Sequence, residues 1–445
     1  MIRRIEKALL LAVFLIIGVS VSAQEGAYGA YSPYSIFGVG ELEREGNAYT
    51  KSMGGTGIAT RNRRFINYTN PAAVTARDSL SFMADFGLEQ KNTIYGQRNF
   101  SSVDNTFNKS ANNTFNIHNF VLSFPIYRSS AFMLGISPFS DVGYDFSSVE
   151  ENKDIIGHTG NINYHSYGTG SIYQIFFGAG VTFWKRLSLG AEAIYYFGNI
   201  DKITKIDYTN SSYRSVRTGN ELSINGTTGK FGLQYEQKLG GDVSMIIGAT
   251  YRMSTKMNGY AENYRYATQS SIVDTLKHTV DTLAYGNLCF GDEIGVGISL
   301  KGGEKWHAEF NYLRSGWGNS GFDNTPGFSA VGSSVFSSTT SQSFRLGFEF
   351  VPNRNDIRYY MRRCAYRAGV YYDQAYYKLD GNNVNSMGLT LGLTLPVFRW
   401  YNGLTIGLDL GQRASTRHDM VRERYAKIAV GFNIHDIWFQ KPRYN

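Results

Sequence analysis

The chain has 445 residues, a formal net charge of +8, 49 glycines against 8 prolines, and 15% aromatic residues. Its only two cysteines, Cys289 and Cys364, exclude a disulfide framework, because one pair cannot staple a chain of this length. A composition rich in glycine and aromatics and poor in proline is typical of an all-β membrane barrel more than of a soluble enzyme. Length alone would allow two domains, but no linker is visible, so we predict one.

The N-terminus carries the parts of a secretory signal peptide. Arg3 and Arg4 precede an almost wholly apolar run at residues 8–19, and Val-Ser-Ala at 21–23 offers a cleavage site between small residues. The apolar run is shorter than the roughly 20 residues that a membrane-spanning helix needs. We therefore predict a signal peptide at residues 1–23.

A glycine-rich stretch, SMGGTGIATRNRRFINYTNPAA, begins at residue 52 and has no counterpart elsewhere. Gly54, Gly55 and Gly57 allow tight turns with positive φ, and Pro71 biases Asn70 toward an extended conformation. Such a segment is too irregular for a strand and too short for a domain, so we predict a compact plug. The GGTG motif alone could also cradle a phosphate, but neither Lys-Ser nor Lys-Thr follows it.

From residue 80 onward, apolar and polar residues alternate. Phe344, Leu346 and Phe348, for example, are interleaved with Arg345 and Gly347. A period of two indicates strands with one apolar and one polar face. The pattern predicts about fourteen strands, near 80–98, 115–126, 131–147, 168–183, 187–208, 214–235, 243–267, 278–300, 306–317, 338–350, 363–378, 386–397, 404–413 and 423–433.

Connection lengths distinguish a soluble sandwich from a membrane barrel, because alternation fits both. Short connections alternate with longer polar ones: the short ones lie at 127–130, 184–186, 301–305 and 398–403, the longer ones at 99–114, 148–167, 268–277 and 318–337. Tight turns at one end and long loops at the other are typical of outer-membrane barrels. We predict an all-β fold, a transmembrane antiparallel β-barrel of about fourteen strands at 79–433, with an N-terminal hatch or plug at 24–78 and a periplasmic tail at 434–445.

The motif GGTGIA followed by NPAA, after a signal peptide and before a β-rich chain, resembles the FadL-like (OMPP1/FadL/TodX) family of outer-membrane barrels. The resemblance implies a hatch inside a fourteen-stranded barrel through which hydrophobic small molecules pass. It assigns Gly54, Gly55, Gly57, Asn70 and Pro71 to the hatch. Some FadL-like barrels serve as shuttles or scaffolds in secretion systems, so the resemblance also admits that role.

The third predicted strand contains Ser137-Pro138, and proline lacks the N–H that a strand ladder needs. The FadL-like family has its lateral exit at an interruption of the third strand, so the resemblance implies a side opening here for a ligand. The opening would involve Ser137, Pro138, Phe139, Asp141 and Gly143. A simple bulge at the barrel rim is the alternative.

The C-terminal tail carries Trp438 and Phe439, which suit an interfacial anchor in the membrane. A docking handle for a periplasmic partner is the alternative for this tail. Arg362, Arg363 and Arg367 form a basic cluster that we place at a periplasmic turn, where it would meet phosphate groups or a partner protein.

Nothing in the chain predicts catalysis, a metal site or a cofactor. The histidines are scattered, and no GxSxG, HExxH or CxxC motif occurs. We expect the inward-facing charges, which have both signs, to pair with one another and with the hatch. These are Asp85, Glu89, Glu192, Lys230, Glu309, Arg345, Glu349, Arg367, Asp373, Asp409, Arg413 and Lys427.

These observations lead to two hypotheses of function. The first is a monomeric FadL-like barrel in the outer membrane of a Gram-negative bacterium, with both termini periplasmic, that takes up or captures a hydrophobic small molecule. The second is a non-catalytic barrel subunit or scaffold of an outer-membrane protein secretion or assembly machine. We expect contacts with outer-membrane lipid and lipopolysaccharide, and none with nucleic acid. A general porin comes third, because the predicted plug argues against an open pore.

Overall fold

The computed structural model describes residues 30–77, 81–98, 107–127, 129–150, 152–269, 272–283, 288–325, 328, 330–331, 334–398, 402–417 and 420–437. Fourteen long strands dominate it. They are β1 (Ser81–Arg98), β2 (Phe107–Tyr127), β3 (Ser130–Val149), β4 (Ile162–Phe183), β5 (Leu187–Tyr208), β6 (Ser215–Gly240), β7 (Val243–Arg252), β8 (Asp292–Gly302), β9 (Trp306–Gly316), β10 (Thr340–Phe350), β11 (Ala365–Leu379), β12 (Asn382–Phe398), β13 (Asn402–Arg413) and β14 (Arg422–Ile437).

Antiparallel pairing joins each of these strands to the next one along the chain. The ring closes where β14 pairs with β1, with Ile437 opposite Ser81. The predicted antiparallel barrel of about fourteen strands is therefore confirmed. Closure pairs the backbone N–H and C=O groups that a lipid environment could not satisfy.

The strands present an apolar face outward and a polar face inward. On β10, Leu346 and Phe348 are exposed by 51% and 46%, whereas Arg345 and Glu349 are buried. A soluble barrel would bury its apolar face, so this arrangement identifies a membrane-spanning barrel.

The two ends of the barrel differ in their connections. At one end, here called the turn end, β2–β3, β4–β5, β6–β7, β8–β9 and β12–β13 are joined by three residues or fewer. At the opposite loop end the connections are mostly longer. There are two exceptions: β11 and β12 are joined by a tight turn at the loop end, and the connection at 351–364 is long although it lies at the turn end.

Several strands extend further than the sequence pattern predicts. β2 begins at Phe107 and β4 at Ile162, so the predicted loops at 99–114 and 148–167 are shorter. β14 continues to Ile437, beyond the predicted boundary at 433. Near the loop end both faces of the strands carry polar residues, so the alternation of apolar and polar residues stops there. The hydrogen-bonded pairing of the strands continues beyond that point.

A hairpin stands between β7 and β8 at the loop end. Its first strand, Asn258–Gln269, continues the line of β7 by pairing with β6. Its second strand, Ile272–Thr282, pairs with Asn258–Gln269. The predicted strands 243–267 and 278–300 merged these pieces with β7 and β8. Alternation persists through the hairpin, so it does not mark where a strand leaves the ring.

Short elements complete the described chain. They are the 3-10 helices Pro33–Ile36, Pro71–Thr75 and Phe322–Asn324, the α-helices Ala48–Lys51, Lys153–Thr159 and Tyr360–Arg363, and the strands Glu41–Leu42, Thr255–Lys256, Cys289–Phe290, Ala330–Val331 and Ser334–Ser338. Among the described residues, no helix has the length and apolar character needed to cross a membrane.

Candidate functional site in the barrel lumen

Residues 30–77, called the N-terminal segment below, contact the inner faces of widely separated strands. The backbone N–H of Gly54 donates to Thr390 Oγ1 on β12 (2.8 Å), and that of Ala59 donates to Glu309 Oε1 on β9 (2.9 Å). On another side, Ser32 N–H donates to the carbonyl of Gly143 on β3 (2.8 Å). The segment therefore lies within the ring of strands.

The glycine-rich turn packs tightly against the wall. Gly54 and Gly55 have φ of +71° and +80°, as expected from their sequence. A Cβ at Gly54 would lie 2.9 Å from the carbonyl oxygens of Leu346 and Val370. Gly57 differs from the prediction, because its φ is not positive. Glycine is required at position 57 by close packing instead, since a Cβ there would lie 2.9 Å from Thr69 Oγ1.

The Asn70-Pro71 corner packs against glycines on the inner face of the barrel wall. Asn70 is extended (φ −128°, ψ 115°), as its proline neighbour predicts, and its side chain accepts from the N–H of Ala72 to cap a 3-10 helix. A Cβ at Gly190 would lie 2.3 Å from the carbonyl carbon of Pro71, and one at Gly232 would lie 2.0 Å from Asn70 Oδ1. The segment can approach β5 and β6 this closely only because glycine stands at both positions.

Glu41 is the most strongly paired acid of the segment. Its carboxylate lies 2.6 Å from the Arg413 guanidinium and 2.7 Å from Lys91 Nζ. Burial alone would raise the pKa of Glu41, but Arg413, Lys91 and Lys427 together hold this pKa well below its usual range. Through these two salt bridges, Glu41 joins the segment to both β1 and β13.

Further salt bridges connect the segment with the wall. They are Arg44–Asp373, Arg44–Asp409, Glu45–Lys230, Lys51–Glu89, Glu43–Lys427, Arg61–Glu236 and Arg64–Glu304. Asp85 and Glu309 contact the segment through hydrogen bonds that they accept from Asn47 and Ala59. The expected pairing of inward charges with one another and with the segment is thus observed for most of them.

Glu43, Glu89 and His118 bring their ligand atoms close enough to hold a metal ion. Lys51 Nζ already lies among them, 2.5 Å from Glu89, 2.9 Å from His118 Nδ1 and 3.5 Å from Glu43. An ammonium group supplies the positive charge that a metal would bring. The cluster is therefore explained as an ion pair network between segment and wall.

The pairing of β3 changes partner at its midpoint. Toward the turn end, β3 pairs with β2 from Tyr127 opposite Ser130 up to Phe120 opposite Ile136. Beyond that point, the same edge of β3 pairs with Glu41–Leu42 of the N-terminal segment. The ladder between β2 and β3 thus ends next to Ser137-Pro138.

The five residues of the predicted side opening all lie at this break. Phe139 is the extra residue of a bulge against β4, and its buried ring lies 4.9 Å from that of Phe290. Ser137 accepts from Gln174, and Asp141 from Ser171. Gly143 bonds the backbone of Ser32, and Pro138 stands at the start of the bulge. A bulge and a break in pairing coexist here, on opposite edges of one strand.

Aromatic residues fill the lumen near the loop end. Trp317 is buried, with its ring 5.5 Å from Phe290 and 4.6 Å from Tyr376. Other members are Phe37, Phe139, Tyr196, Phe322, Phe336 and Tyr377. Sequence reasoning missed this core, because several of its members come from loops that have no alternation. The high aromatic content was the only signal.

A cavity of about 190 Å³ remains between the aromatic core and the N-terminal segment. Five acidic and five basic residues line it: Glu41, Glu43, Glu45, Glu293, Asp373, Arg44, Arg252, Arg345, Arg413 and Lys427. Charges of both signs therefore share the lining of this cavity with apolar and aromatic side chains such as Phe139, Trp317 and Tyr376.

The connection at 351–364 forms an ordered surface at the turn end. Asp356 accepts from the N–H groups of Arg358 (2.8 Å) and Tyr359 (2.7 Å), and these bonds lower the pKa of its carboxyl. The turn leaves Ile357 exposed by 94% and Tyr359 by 49%. Arg362 lies over the Tyr359 ring at 4.8 Å.

Arg367 does not belong to this basic surface, contrary to the prediction that grouped it with Arg362 and Arg363. It lies on β11 facing the lumen, where it bonds Glu349 at 2.8 Å and stacks 4.1 Å over the ring of Tyr49. A strand begins at Ala365, so the inward direction of alternation overrides proximity in sequence. Trp438 and Phe439, the predicted interfacial anchor, lie outside the described residues, as do residues 1–29 with the predicted signal peptide.

Three solved structures that share this architecture are named as toluene transporters or a hydrocarbon channel. The Pseudomonas putida toluene transporter TodX matches with a TM-score of 0.59 at 14% identity, over 89% of this chain and 100% of that one. The CymD monoaromatic hydrocarbon channel matches with 0.54 at 15%, over 87% and 96%, and the Ralstonia pickettii toluene transporter TbuX with 0.52 at 13%, over 88% and 98%. At such identities the likeness shows the fold alone. The chain has the fold of the FadL-like barrels.

The model of the BamG family matches residues 1–445, and the chain belongs to that family. No curated protein matches the sequence.

Proposed function

We propose that this protein is a non-catalytic barrel subunit of an outer-membrane protein assembly or secretion machine. The single observation that carries the proposal is the lumen. It is occupied by the N-terminal segment and an aromatic core, and the cavity between them is lined by ten charged residues. Membership of the BamG family favours the same role.

A charged cavity is a poor route for a hydrophobic molecule. An apolar ligand in it would desolvate Glu41, Arg413 and their neighbours without offering hydrogen bonds in return, which is unfavourable. Ligand sites for apolar molecules are lined mainly by apolar and aromatic side chains. The aromatic core is packed closely enough that its rings contact one another, so it supports the closed barrel rather than a channel.

The surface at 351–364 supplies a contact for a partner. A nearly fully exposed isoleucine in an ordered turn, beside Tyr359 and arginines, has the composition of an interface centre, where aromatic residues and arginine are enriched. The proposal places this end in the periplasm, the compartment from which soluble partners and unfolded barrel proteins approach. Arg358 and Arg362 favour a partner with an acidic surface.

Depletion of the protein tests the role in assembly. We expect the other β-barrel proteins of the outer membrane to decline together, while lipoproteins anchored by their lipid remain, as measured by quantitative proteomics of purified membranes. A membrane proteome that is unchanged after depletion contradicts the proposal.

The interface is tested by Ile357→Asp, which places a charge at the centre of the exposed turn. We expect partners that copurify stoichiometrically from native membranes in mild detergent to be lost at least tenfold. Val335→Asp is the matched control, because Val335 is also exposed (57%) but lies at the loop end. Equal loss from both variants would mean that the turn is not the interface.

Uptake of hydrophobic molecules remains the second candidate. The observation that favours it is the end of the β2–β3 ladder at Phe120 and Ile136, beside Ser137 and Pro138, where the predicted side opening lies. The neighbours in fold are named as toluene and monoaromatic hydrocarbon transporters. In this second function a ligand would leave sideways past Phe139 after Glu41–Leu42 had moved away from β3.

Pro138→Val tests this second function by restoring the missing N–H. We expect a narrower break and slower uptake of labelled toluene by cells with matched barrel levels. Pro396→Val is the control, because Pro396 also stands at a bulge but at the turn end of β12. Uptake that is real and unaffected by Pro138→Val would remove the side opening from the mechanism.

Under either function we place the barrel in the outer membrane, with the turn end in the periplasm. Ser81 and Ile437, the two ends of the barrel domain, both lie at the turn end, which supports this orientation. We also propose that the N-terminal segment acts as the predicted hatch, held by its salt bridges to β1, β6, β11, β13 and β14.

A further inference from the structure

Three cationic side chains stand together on the outer surface of β14, β1 and β2 near the loop end. Gly96 of β1 pairs with Arg422 on one side and with Lys109 on the other. One row closer to the middle of the barrel, Ile94 pairs with Arg424 of β14. Ile94 and Arg424 are exposed, so these rows belong to the outward face.

Gly96 lies between Arg422 and Lys109 and has no side chain that would separate these two cations. A Cβ at Gly96 would lie 3.7 Å from Arg422 Nη2, so the guanidinium of Arg422 reaches over the glycine toward Lys109. Adjacent strands are about 4.8 Å apart, which puts the backbones of Arg422 and Lys109 about 10 Å apart. Two long side chains at that spacing can close on one phosphate group.

The orientation of the third cation is held by a neighbour. Arg424 donates from Nε to Gln412 Oε1 at 3.2 Å, so its terminal amino groups point to other acceptors. The nearby carboxylates of Glu89 and Glu423 are buried and face the lumen. Within the described part of these three strands near the loop end, the outward face therefore carries positive charge without a neutralising acid.

Polarity changes in steps from these cations toward the middle of the barrel. Next come the amides of Gln90 and Asn113, with Gln90 Nε2 donating to Asn113 Oδ1 at 3.4 Å. Phe115, which pairs with Gln90, and Ile117, one row further from the loop end, are each exposed by 55%. Apart from Ile94, which shares the row of Arg424, the order from cations through amides to apolar side chains matches the order of phosphate, sugar and acyl chains in a phosphorylated glycolipid.

We propose that Arg422, Arg424 and Lys109 bind the phosphate of an anionic glycolipid in the outer leaflet, with its acyl chains along the outward face of β1 and β2. The inference rests on the orientation proposed above, with the loop end outside. Arginine and lysine bind phosphate through charge-assisted hydrogen bonds, which are stronger than neutral ones. The bound lipid would lie beside the edge of β2 that β3 leaves unpaired.

The test measures lipid binding to the purified full-length barrel by native mass spectrometry. The probes are bisphosphorylated lipid A, its dephosphorylated form, phosphatidylglycerol and inorganic phosphate, each titrated in the same detergent. We expect the doubly substituted Arg422→Gln/Arg424→Gln protein to bind bisphosphorylated lipid A at least tenfold more weakly, and Lys109→Gln to reduce binding further. Arg265→Gln, at an exposed arginine elsewhere at the loop end, is the matched control.

Each outcome decides the proposal. It is supported if the wild type prefers the bisphosphorylated lipid and only the cluster variants lose that preference. Equal affinity of the double variant and Arg265→Gln overturns the site, and equal binding of phosphatidylglycerol or inorganic phosphate overturns the glycolipid as its ligand. Heat-modifiable migration on SDS gels establishes that each variant is folded. Binding is measured without partner or uptake, so its failure leaves the proposed function untouched.

Discussion

Glu41→Gln tests whether the salt bridges hold the N-terminal segment in the lumen. The substitution keeps the size of the side chain and removes its charge. Arg413 and Lys91, which lie 2.6 and 2.7 Å from the carboxylate, then lose a counter-ion in a site where Glu41 is only 8% exposed. We expect the segment to leave the lumen far more often while the strands of the barrel stay paired.

The magnitude follows from burial. Removing one partner of a buried ion pair costs about 3–5 kcal/mol, because the other charge is left uncompensated. Arg413 keeps Glu423 at 3.1 Å, so the lower end, about 3 kcal/mol, applies here. Since about 1.4 kcal/mol corresponds to a factor of ten, the population with a released segment should rise about a hundredfold.

Two measurements read out this release. Protease sites in the segment should be cleaved much faster in Glu41→Gln, and single-channel recordings in planar bilayers should show more frequent openings. Glu304→Gln is the control, because Glu304 pairs with Arg64 but its side chain is 62% exposed, where an ion pair contributes about 1 kcal/mol or less. If the two variants release the segment equally, burial is not the reason for its retention.

Three further predictions address pH, packing and topology. The pKa of Glu41 is held below its ordinary value of about 4.3, so the stabilisation that its carboxylate provides is complete above that value and is lost as pH falls through the folded-state pKa. Protection of the segment from protease should therefore be constant from about pH 8 to 5 and fall only in more acidic solution. Glu41→Gln should make this loss of protection in acid smaller. Gly232→Ala should destabilise the segment by about 1–3 kcal/mol, because the new Cβ would lie 2.0 Å from Asn70 Oδ1. Gly229→Ala on the same strand, where the nearest atom is 3.7 Å away, should change the same protease assay little, and equal effects would contradict the packing argument. In a protein with both native cysteines replaced by serine, Asn324→Cys should react with a membrane-impermeant maleimide on intact cells and Lys185→Cys only after permeabilisation, whereas the reverse would invert the proposed orientation.

Sequence patterns were sufficient for the architecture. A strand places successive side chains on opposite faces, so the alternation around Leu346 and Phe348 predicts both the strand and its lipid-facing side. Repeated fourteen times between turns of alternating length, the same rule predicts a closed barrel. The glycine-rich turn and Asn70-Pro71 also predicted a segment without regular strands, because the backbone preferences of glycine and proline are local.

Sequence proximity failed where the third dimension decides neighbours. Arg367 follows Arg362 and Arg363 closely in the chain, yet it points into the lumen toward Glu349 because a strand begins between them. The hairpin at 258–282 was merged with β7 and β8 for a related reason. Alternation reports the local conformation and carries no information about which strand is the partner.

Only the tertiary structure decided what the lumen contains. Glu41 and Arg413 are separated by 372 positions, and their pairing exists because closure of the ring brings β13 against the N-terminal segment. The place where β3 exchanges β2 for Glu41–Leu42, and the stacking of Phe139 on Phe290, depend on the same closure. The sequence by itself determined local backbone preference and the face on which each side chain lies; the contacts across the lumen join residues far apart in the chain, and only the closed barrel specifies them.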